Sequence, residues 1–222
     1  MKQRLACAGI LAMVCMFASA QTPAPMSVQQ ILAHMSANTA GLTTYQVPLT
    51  IKVHVHKGLT VPLSLSGTRY FKMPDKEALH MRTVPAIAKP FQDAYADLGT
   101  PATWLQTYDI TEVTPSIQDA QPVYELRGTY KKPSSHVDHI LLDVDAATFD
   151  PVQARWFYTN GATIVMNIQE QPVDKYRLPS RETLDVAFPS YKGNAVVTYG
   201  TYIVNQDVPD STFASSPSPS PL

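Results

Sequence analysis

The sequence predicts an α+β fold. A strongly curved antiparallel β-sheet of about ten strands, an incomplete barrel, is covered on its concave face by an N-terminal helix and a short helical insertion. Three observations carry the prediction. Residues 27–41 hold apolar side chains at the i, i+3, i+4, i+7 spacing of a helix with one buried face. Most of the chain beyond residue 41 alternates apolar and polar residues with period two, in runs separated by turn residues. About ten such runs, mostly sequential and each with one wet face, hide their apolar side by curling into a barrel or half-barrel. Composition agrees: only 16% of the 222 residues are charged, and proline is frequent at 19. The 17 Lys+Arg are balanced by 18 Asp+Glu, which leaves no field to attract nucleic acid or an anionic membrane.

The N-terminus reads as an export signal. Lys2 and Arg4 precede an uncharged apolar run, Leu5 to Phe17, and Ala18-Ser19-Ala20 is a small-x-small cleavage site. The run is too short for the roughly 20 residues of a membrane span. Residues 1–20 are therefore expected to be a signal peptide, cut near Ala20/Gln21, which places the mature chain in the periplasm. Cys7 comes too early to leave a full apolar region before it, Cys15 lacks the lead-in of a lipoprotein signal, and both leave with the signal peptide. The mature chain then has no thiol, no disulfide and no Cys-ligated metal. Losing Lys2 and Arg4 leaves 15 basic residues against 18 acidic, a net charge of −3. Residues 21–26 read as a linker, 27–212 as a single domain, and 213–222 as a disordered Ser/Pro-rich tail.

The domain opens with a helix. Ser27 and Gln30 have capping-box spacing, Met26 and Ile31 stand at staple positions, and Val28, Ile31, Leu32 and Met35 form the buried stripe. Gly41 supplies its stop. A long strand comes next, with Tyr45, Val47, Leu49, Ile51, Val53 and Val55 on one face and Gln46, Thr50, Lys52, His54 and His56 on the other. Pro48 inside it points to an edge position or a bulge. Lys57-Gly58 turns the chain into a second strand with Val61, Leu63 and Leu65 inward. A third strand spans 76–83 after a Pro74-Asp75 turn. Pro90 starts a short helix with Phe91, Tyr95 and Leu98 on one side and Gly99 as its stop, and Thr100-Pro101 starts another with Trp104 and Leu105. Further strands are expected at 107–113, 122–131, 137–145, 152–159, 162–170, 183–188 and 195–204. Turns are expected at Asp150-Pro151 and, with the strongest hairpin signal, Asn160-Gly161.

This order of parts resembles the periplasmic lipoprotein-carrier superfamily with the LolA/LolB-like fold. The resemblance lies in the helix and first strand, SVQQILAHMSANTAGLTTYQVPLTIKVHV, in Arg69-Tyr70-Phe71-Lys72-Met73-Pro74-Asp75-Lys76, and in LLDVDAATFDPVQARWFYTNGATIVMNI. It spans about residues 27–205. It implies an incomplete barrel closed by helices and a non-enzymatic periplasmic role as carrier or binder of lipid acyl chains, with lipoprotein sorting to the outer membrane as one form of that role. The alternative it implies is an envelope sensor or scaffold domain that binds a protein partner through the same fold. Partners are then acyl chains or lipoproteins, with an envelope membrane protein to receive them. After signal cleavage no segment is long and apolar enough to span a bilayer.

Chemistry-bearing motifs are sparse. The chain has no Gly-x-Ser-x-Gly, no Ser-x-x-Lys, no His-Glu-x-x-His and no phosphate loop. His54 and His56 share a strand face, but Lys52 shares it too, which disfavours a cation. His136 and His139 are a second pair, and His80 lies in the third strand. Asp143 with Asp145, and Glu182 with Asp185 near a Pro179-Ser180 turn, are carboxylate pairs of the kind found solvated on hairpins. No catalytic residue, metal or cofactor is expected. The candidate site is the apolar face of the sheet, with Val47, Leu49, Ile51, Val53, Leu63, Leu65, Trp156, Ile164 and Met166 as the wall of a lipid cavity. The pattern identifies the face; a ligand and a filled core use the same residues.

Overall fold

The computed structural model describes residues 21–57, 59–131, 136–189 and 191–214. The expected signal peptide lies outside the described residues, as do Gly58 of the first expected turn and residues 215–222 of the expected tail. Among the described residues there are three α-helices: α1 (Val28–Asn38), α2 (Lys89–Asp97) and α3 (Pro101–Thr107). The strands are β1 (Thr44–Lys57), β2 (Leu59–Lys72), β3 (Lys76–Met81), β4 (Tyr108–Gln118), β5 (Gln121–Tyr130), β6 (Val137–Asp145), β7 (Pro151–Tyr158), β8 (Thr163–Val173), β9 (Tyr176–Phe188), β10 (Tyr191–Tyr199) and the short β11 (Ile203–Val204).

All belong to one antiparallel sheet in the order β3-β2-β1-β10-β9-β8-β7-β6-β5-β4, with β11 beside β1. The sheet is curved and does not close: β3 and β4 are its two edges. The chain crosses from one edge to the other through the helical insertion, a short 3-10 turn (Ala86–Ala88) followed by α2 and α3. This is the half-barrel the alternation predicted.

Local sequence explains each part. α1 carries the expected capping box: Ser27 N donates to Gln30 Oε1 at 2.9 Å, and Gln30 N to Ser27 Oγ at 3.3 Å. Ile31 and Met35 are its buried stripe, and Gly41 at φ +82° turns the chain into β1. Along β1 burial alternates strictly from Val47 to His56. Thr100 and Thr103 cap α3 reciprocally.

Prolines account for most departures from the expected pattern. β1 is central, not an edge, flanked by β2 and β10. Pro48 is tolerated there because its ladder partner is missing on one side: β10 ends at Tyr199 opposite Leu49, and β11 resumes opposite Gln46. The Pro48 carbonyl still accepts from Gly200 N at 2.8 Å. A Cβ at Gly200 would lie 2.9 Å from Pro48 Cγ, so the proline ring needs a glycine across from it. β4 runs on through Pro115, which an edge strand allows. β9 begins at Tyr176, seven residues before the expected start, and no turn forms at Pro179-Ser180. A register shift at Gln169/Glu170 accommodates Pro179, whose carbonyl accepts from Tyr202 Oη at 2.8 Å.

Candidate functional site

All nine residues expected on the cavity wall stand on the concave side. Val47, Leu49, Ile51, Val53, Leu65, Trp156, Ile164 and Met166 are buried, and Leu63 is partly buried against the same cluster. Register aligns Val53 with Leu63, Ile51 with Leu65, and Trp156 with Ile164. Ala195 and Val197 of β10 and Leu184 and Val186 of β9 continue the wall between the two groups. The insertion packs onto it. Phe91, Ala94, Tyr95 and Leu98 of the α2 segment are buried, and Trp104 of α3 meets Trp156 edge to face at 5.5 Å.

One end of the wall is polar. Arg69 of β2 is in phase with Leu65 and Phe71, so its guanidinium enters the core and is 2% exposed. It lies 4.6 Å over the Tyr95 ring of α2, and Nη1 donates to Tyr199 Oη at 3.3 Å. Glu182 of β9, 1% exposed, accepts from Tyr95 Oη at 2.7 Å and from Tyr199 Oη at 2.8 Å. The two hydroxyls are also 2.9 Å apart. Two phenols hold two protons for three possible bonds, so only two of the three are made at once. Glu77 of β3 accepts from Thr100 Oγ1 and, at 3.0 Å, from Thr103 Oγ1. Burial works against the Arg69 charge, but Tyr199, Tyr95, Glu77 and Glu182 outweigh it and hold the guanidinium charged. Burial pushes the Glu77 carboxyl up, with Arg69 opposing, and pushes the Tyr95 and Tyr199 hydroxyls up as well. The insertion is thus tied to β2, β3, β9 and β10 by one buried polar cluster.

A cleft of about 220 Å³ opens beside this wall, between the end of α1, the β2–β3 turn, α3 and the β6–β7 loop. Met35, Leu42, Phe71, Met73, Leu105 and Phe149 give it apolar sides; Asp150, Glu170 and Arg177 are at its polar side. None of the nine wall residues lines it. Met35, Leu42 and Phe71 belong both to the cleft and to the core cluster, so they separate the cleft from the concave interior.

Other sequence candidates lie elsewhere. His54 and His56 are exposed on the convex face, where their Nδ1 atoms meet Asn194 Oδ1 at 3.2 Å and Thr60 Oγ1 at 2.8 Å. Among the described residues no three His, Cys, Asp or Glu gather as a metal site would require. Glu182 and Asp185, three apart on a strand, face opposite sides: one is buried, the other exposed. Asp143 is buried on the outer side of β6, where Arg155 Nη2 reaches its two oxygens at 3.1 and 3.2 Å and Glu125 Oε2 at 2.6 Å. Burial, with help from Glu125 and against Arg155, pushes the Asp143 carboxyl up to about 6.

Sequence reasoning missed the roles of Arg69, Glu77 and Glu182. The signal was available: each charge occupies the apolar phase of an alternating strand.

No family model and no curated protein matches the chain by sequence. Solved structures do match by shape. A LolA superfamily protein from Nitrosomonas europaea aligns over 85% of this chain and 98% of its own, at 15% identity and TM-score 0.59. An outer membrane lipoprotein-sorting protein domain from Vibrio parahaemolyticus aligns over 83% and 94%, at 11% identity and TM-score 0.59. A DUF1329 family protein from Desulfovibrio piger aligns over 83% and 94%, at 11% identity and TM-score 0.61. At these identities the likeness is one of fold: the chain has the LolA-like fold, a curved, unclosed antiparallel sheet with helices.

Proposed function

We propose that this protein is a periplasmic, non-enzymatic carrier or binder of lipid acyl chains, with lipoproteins destined for the outer membrane as candidate cargo. The observation that supports this most is the contrast between wall and lid. The concave wall is apolar from Ile51, Val53 and Leu65 across to Trp156, Ile164 and Met166, whereas the insertion that covers it is tied down at the wall's one polar end, by a localised cluster around Arg69 and Glu182. A lid of that kind can leave as a unit and expose Val47, Leu49, Ile51, Val53, Leu63, Leu65, Trp156, Ile164 and Met166 to a ligand.

Movement is required on volume grounds. The cleft of about 220 Å³ is below the roughly 300–1,000 Å³ usual for small-molecule sites. An acyl chain entering there displaces the side chains of α2 and α3 from the wall. Each buried methylene contributes about 0.8 kcal/mol, so a long chain offsets the lost lid contacts.

The test is binding of a fluorescent fatty-acid probe to the mature protein. Wild type is expected to bind at micromolar probe, Leu63→Asp to lose binding, and His54→Asp on the convex face to retain it. Native mass spectrometry of protein purified from its own envelope should show a bound lipid. If wild type binds no acyl probe, or if both variants bind like wild type, the carrier reading fails and the sensor or scaffold reading takes its place.

A further inference from the structure

The acyl-carrier reading leaves the polar end of the ligand unassigned. We propose that the cleft beside α1 recognises the cationic head of an amphiphile, a primary ammonium, through Glu170; the inference rests on the reading of the concave face as an acyl site.

Glu170 of β8 lines the cleft, and its Oε2 is buried with no hydrogen-bond partner among the described residues. Buried carboxylate oxygens are normally paired, so an orphaned one at the wall of a cleft points to a missing donor. The adjoining carboxylate lacks nothing: Asp150 receives Arg177 Nε on Oδ2 at 2.7 Å and Asn38 Nδ2 on Oδ1 at 3.0 Å. Arg177 of the same wall thus donates from Nε to Asp150, and no hydrogen bond joins it to Glu170 Oε2. Lys175, in the β8–β9 turn, stands 5.4 Å over the Tyr176 ring. The groups whose charge acts on Glu170 are Asp150, from the β6–β7 loop, and Glu182 and Arg177, from β9; the Tyr202 hydroxyl is also close enough to couple with it. Of the groups acting on Glu170, two are further carboxylates and one is a guanidinium bonded to Asp150; the Lys175 ammonium lies beside Gly41 of the cleft lining.

An ammonium supplies what is absent. It brings donors for Oε2 and a positive charge where acidic groups predominate. A fatty carboxylate would bring neither. Met35, Leu42, Phe71 and Leu105 give the methylenes next to the head an apolar lining, and the chain reaches the concave wall when Met35, Leu42 and Phe71, which stand between, give way. Burial, reinforced by Asp150 and Glu182, pushes the Glu170 carboxyl up to about 8. Before an ammonium enters, it is then largely protonated at neutral pH, and the bound ammonium drives its proton off. Affinity for the ammonium accordingly rises as pH approaches that value and levels off above it.

The experiment is calorimetric titration of the mature protein with dodecylamine, dodecanol and dodecanoate, below their aggregation concentrations, at about pH 6 and about pH 9. Wild type is expected to bind dodecylamine about tenfold more tightly than dodecanol at the higher pH, with a smaller preference at the lower. Glu170→Gln is expected to bind dodecanol as wild type does and to lose the amine preference at both values. Equal binding of amine and alcohol by wild type overturns the inference while leaving the acyl site standing. So does a preference that survives in Glu170→Gln. If none of the three ligands binds, the acyl-site reading and this inference fall together.

Discussion

The two ends of the concave wall are built by opposite rules. From Ile51 to Val55 on β1, with Leu63 and Leu65 beside them and Ala195 and Val197 on the other side, every inward group is apolar. Two residues further along the same strand, Val47 pairs with Arg69 and Leu49 with Tyr199, and the core becomes a polar cluster. The apolar end depends on area and volume, tolerates changes of shape and accommodates a hydrocarbon as readily as a helix side chain. The polar end depends on partners. Arg69, Glu182, Tyr95 and Tyr199 satisfy one another in few arrangements, and removing one leaves the others desolvated. On the carrier reading, a lid fastened at the polar end would be either docked or undocked, and the wall it leaves would accept ligands of varied shape.

The sharpest way to break this comparison is to mutate each end. Arg69→Met removes the buried cation that Glu182, Tyr199 and the Tyr95 ring all address, and is expected to reduce unfolding free energy by about 3–5 kcal/mol. Ile51→Val, at a fully buried apolar position, is expected to cost about 0.5–1.5 kcal/mol. Urea denaturation measures both. Equal losses would mean that the polar end is no more demanding than the rest of the core.

Tyr95→Phe is milder and sharpens the assignment of the cluster to the lid. It deletes only the α2 hydroxyl that donates to Glu182, for an expected loss of about 1–3 kcal/mol. Because that bond joins α2 to β9, association of the acyl probe should be faster in the variant. A slower or unchanged rate at reduced stability would place the rate-limiting opening elsewhere.

How far these ends were legible depends on what alternation encodes. It identifies which residues point inward, so the apolar wall, the hairpins and the half-barrel could be read directly. It is blind to what happens at prolines, since Pro48 and Pro179 sit in strands only because Gly200 and a bulge opposite make room. It also says nothing about partners. Arg69 and Glu182 are 113 positions apart in sequence, and only the β1–β10 pairing brings their strands together. The inward phase of each was visible; that each inward charge had a companion was not. The cleft was invisible for the same reason, being assembled from six separated stretches of chain.

Asp143 extends the comparison to the convex side, where a buried carboxylate has a cation beside it and still is not fully compensated. Its pKa is raised from 3.8 to about 6, so the folded state binds more protons than the unfolded one between those values. The stability this group contributes is therefore full below about pH 4 and is lost as pH rises toward 6, with a slope approaching about 1.4 kcal/mol per pH unit. Asp143→Asn should flatten the profile in that window relative to wild type, measured by denaturation at fixed pH values. An unchanged slope would mean that Arg155 neutralises Asp143 as completely as the cluster around Arg69 neutralises its own charges.

The smallest expected effect tests whether face, rather than strand, is the relevant unit. His54 belongs to the same strand as Ile51, Val53 and Val55 but is exposed on the convex side. His54→Asp gives up the contact to Asn194 and places a carboxylate beside Lys52 on its own strand and diagonal to Lys192, which pairs with His56 on β10. The lost contact and the new charge neighbours are of similar size, so stability should stay within about 0.5 kcal/mol of wild type. Acyl-probe affinity should not change. Leu63→Asp, whose partner Val53 is one residue from His54, puts the same carboxylate on the concave wall and should abolish binding. The two positions lie on neighbouring strands, one register step apart and on opposite faces of the sheet. If His54→Asp weakens the probe as much as Leu63→Asp does, the probe is responding to the stability of the whole domain and the concave wall is not its site.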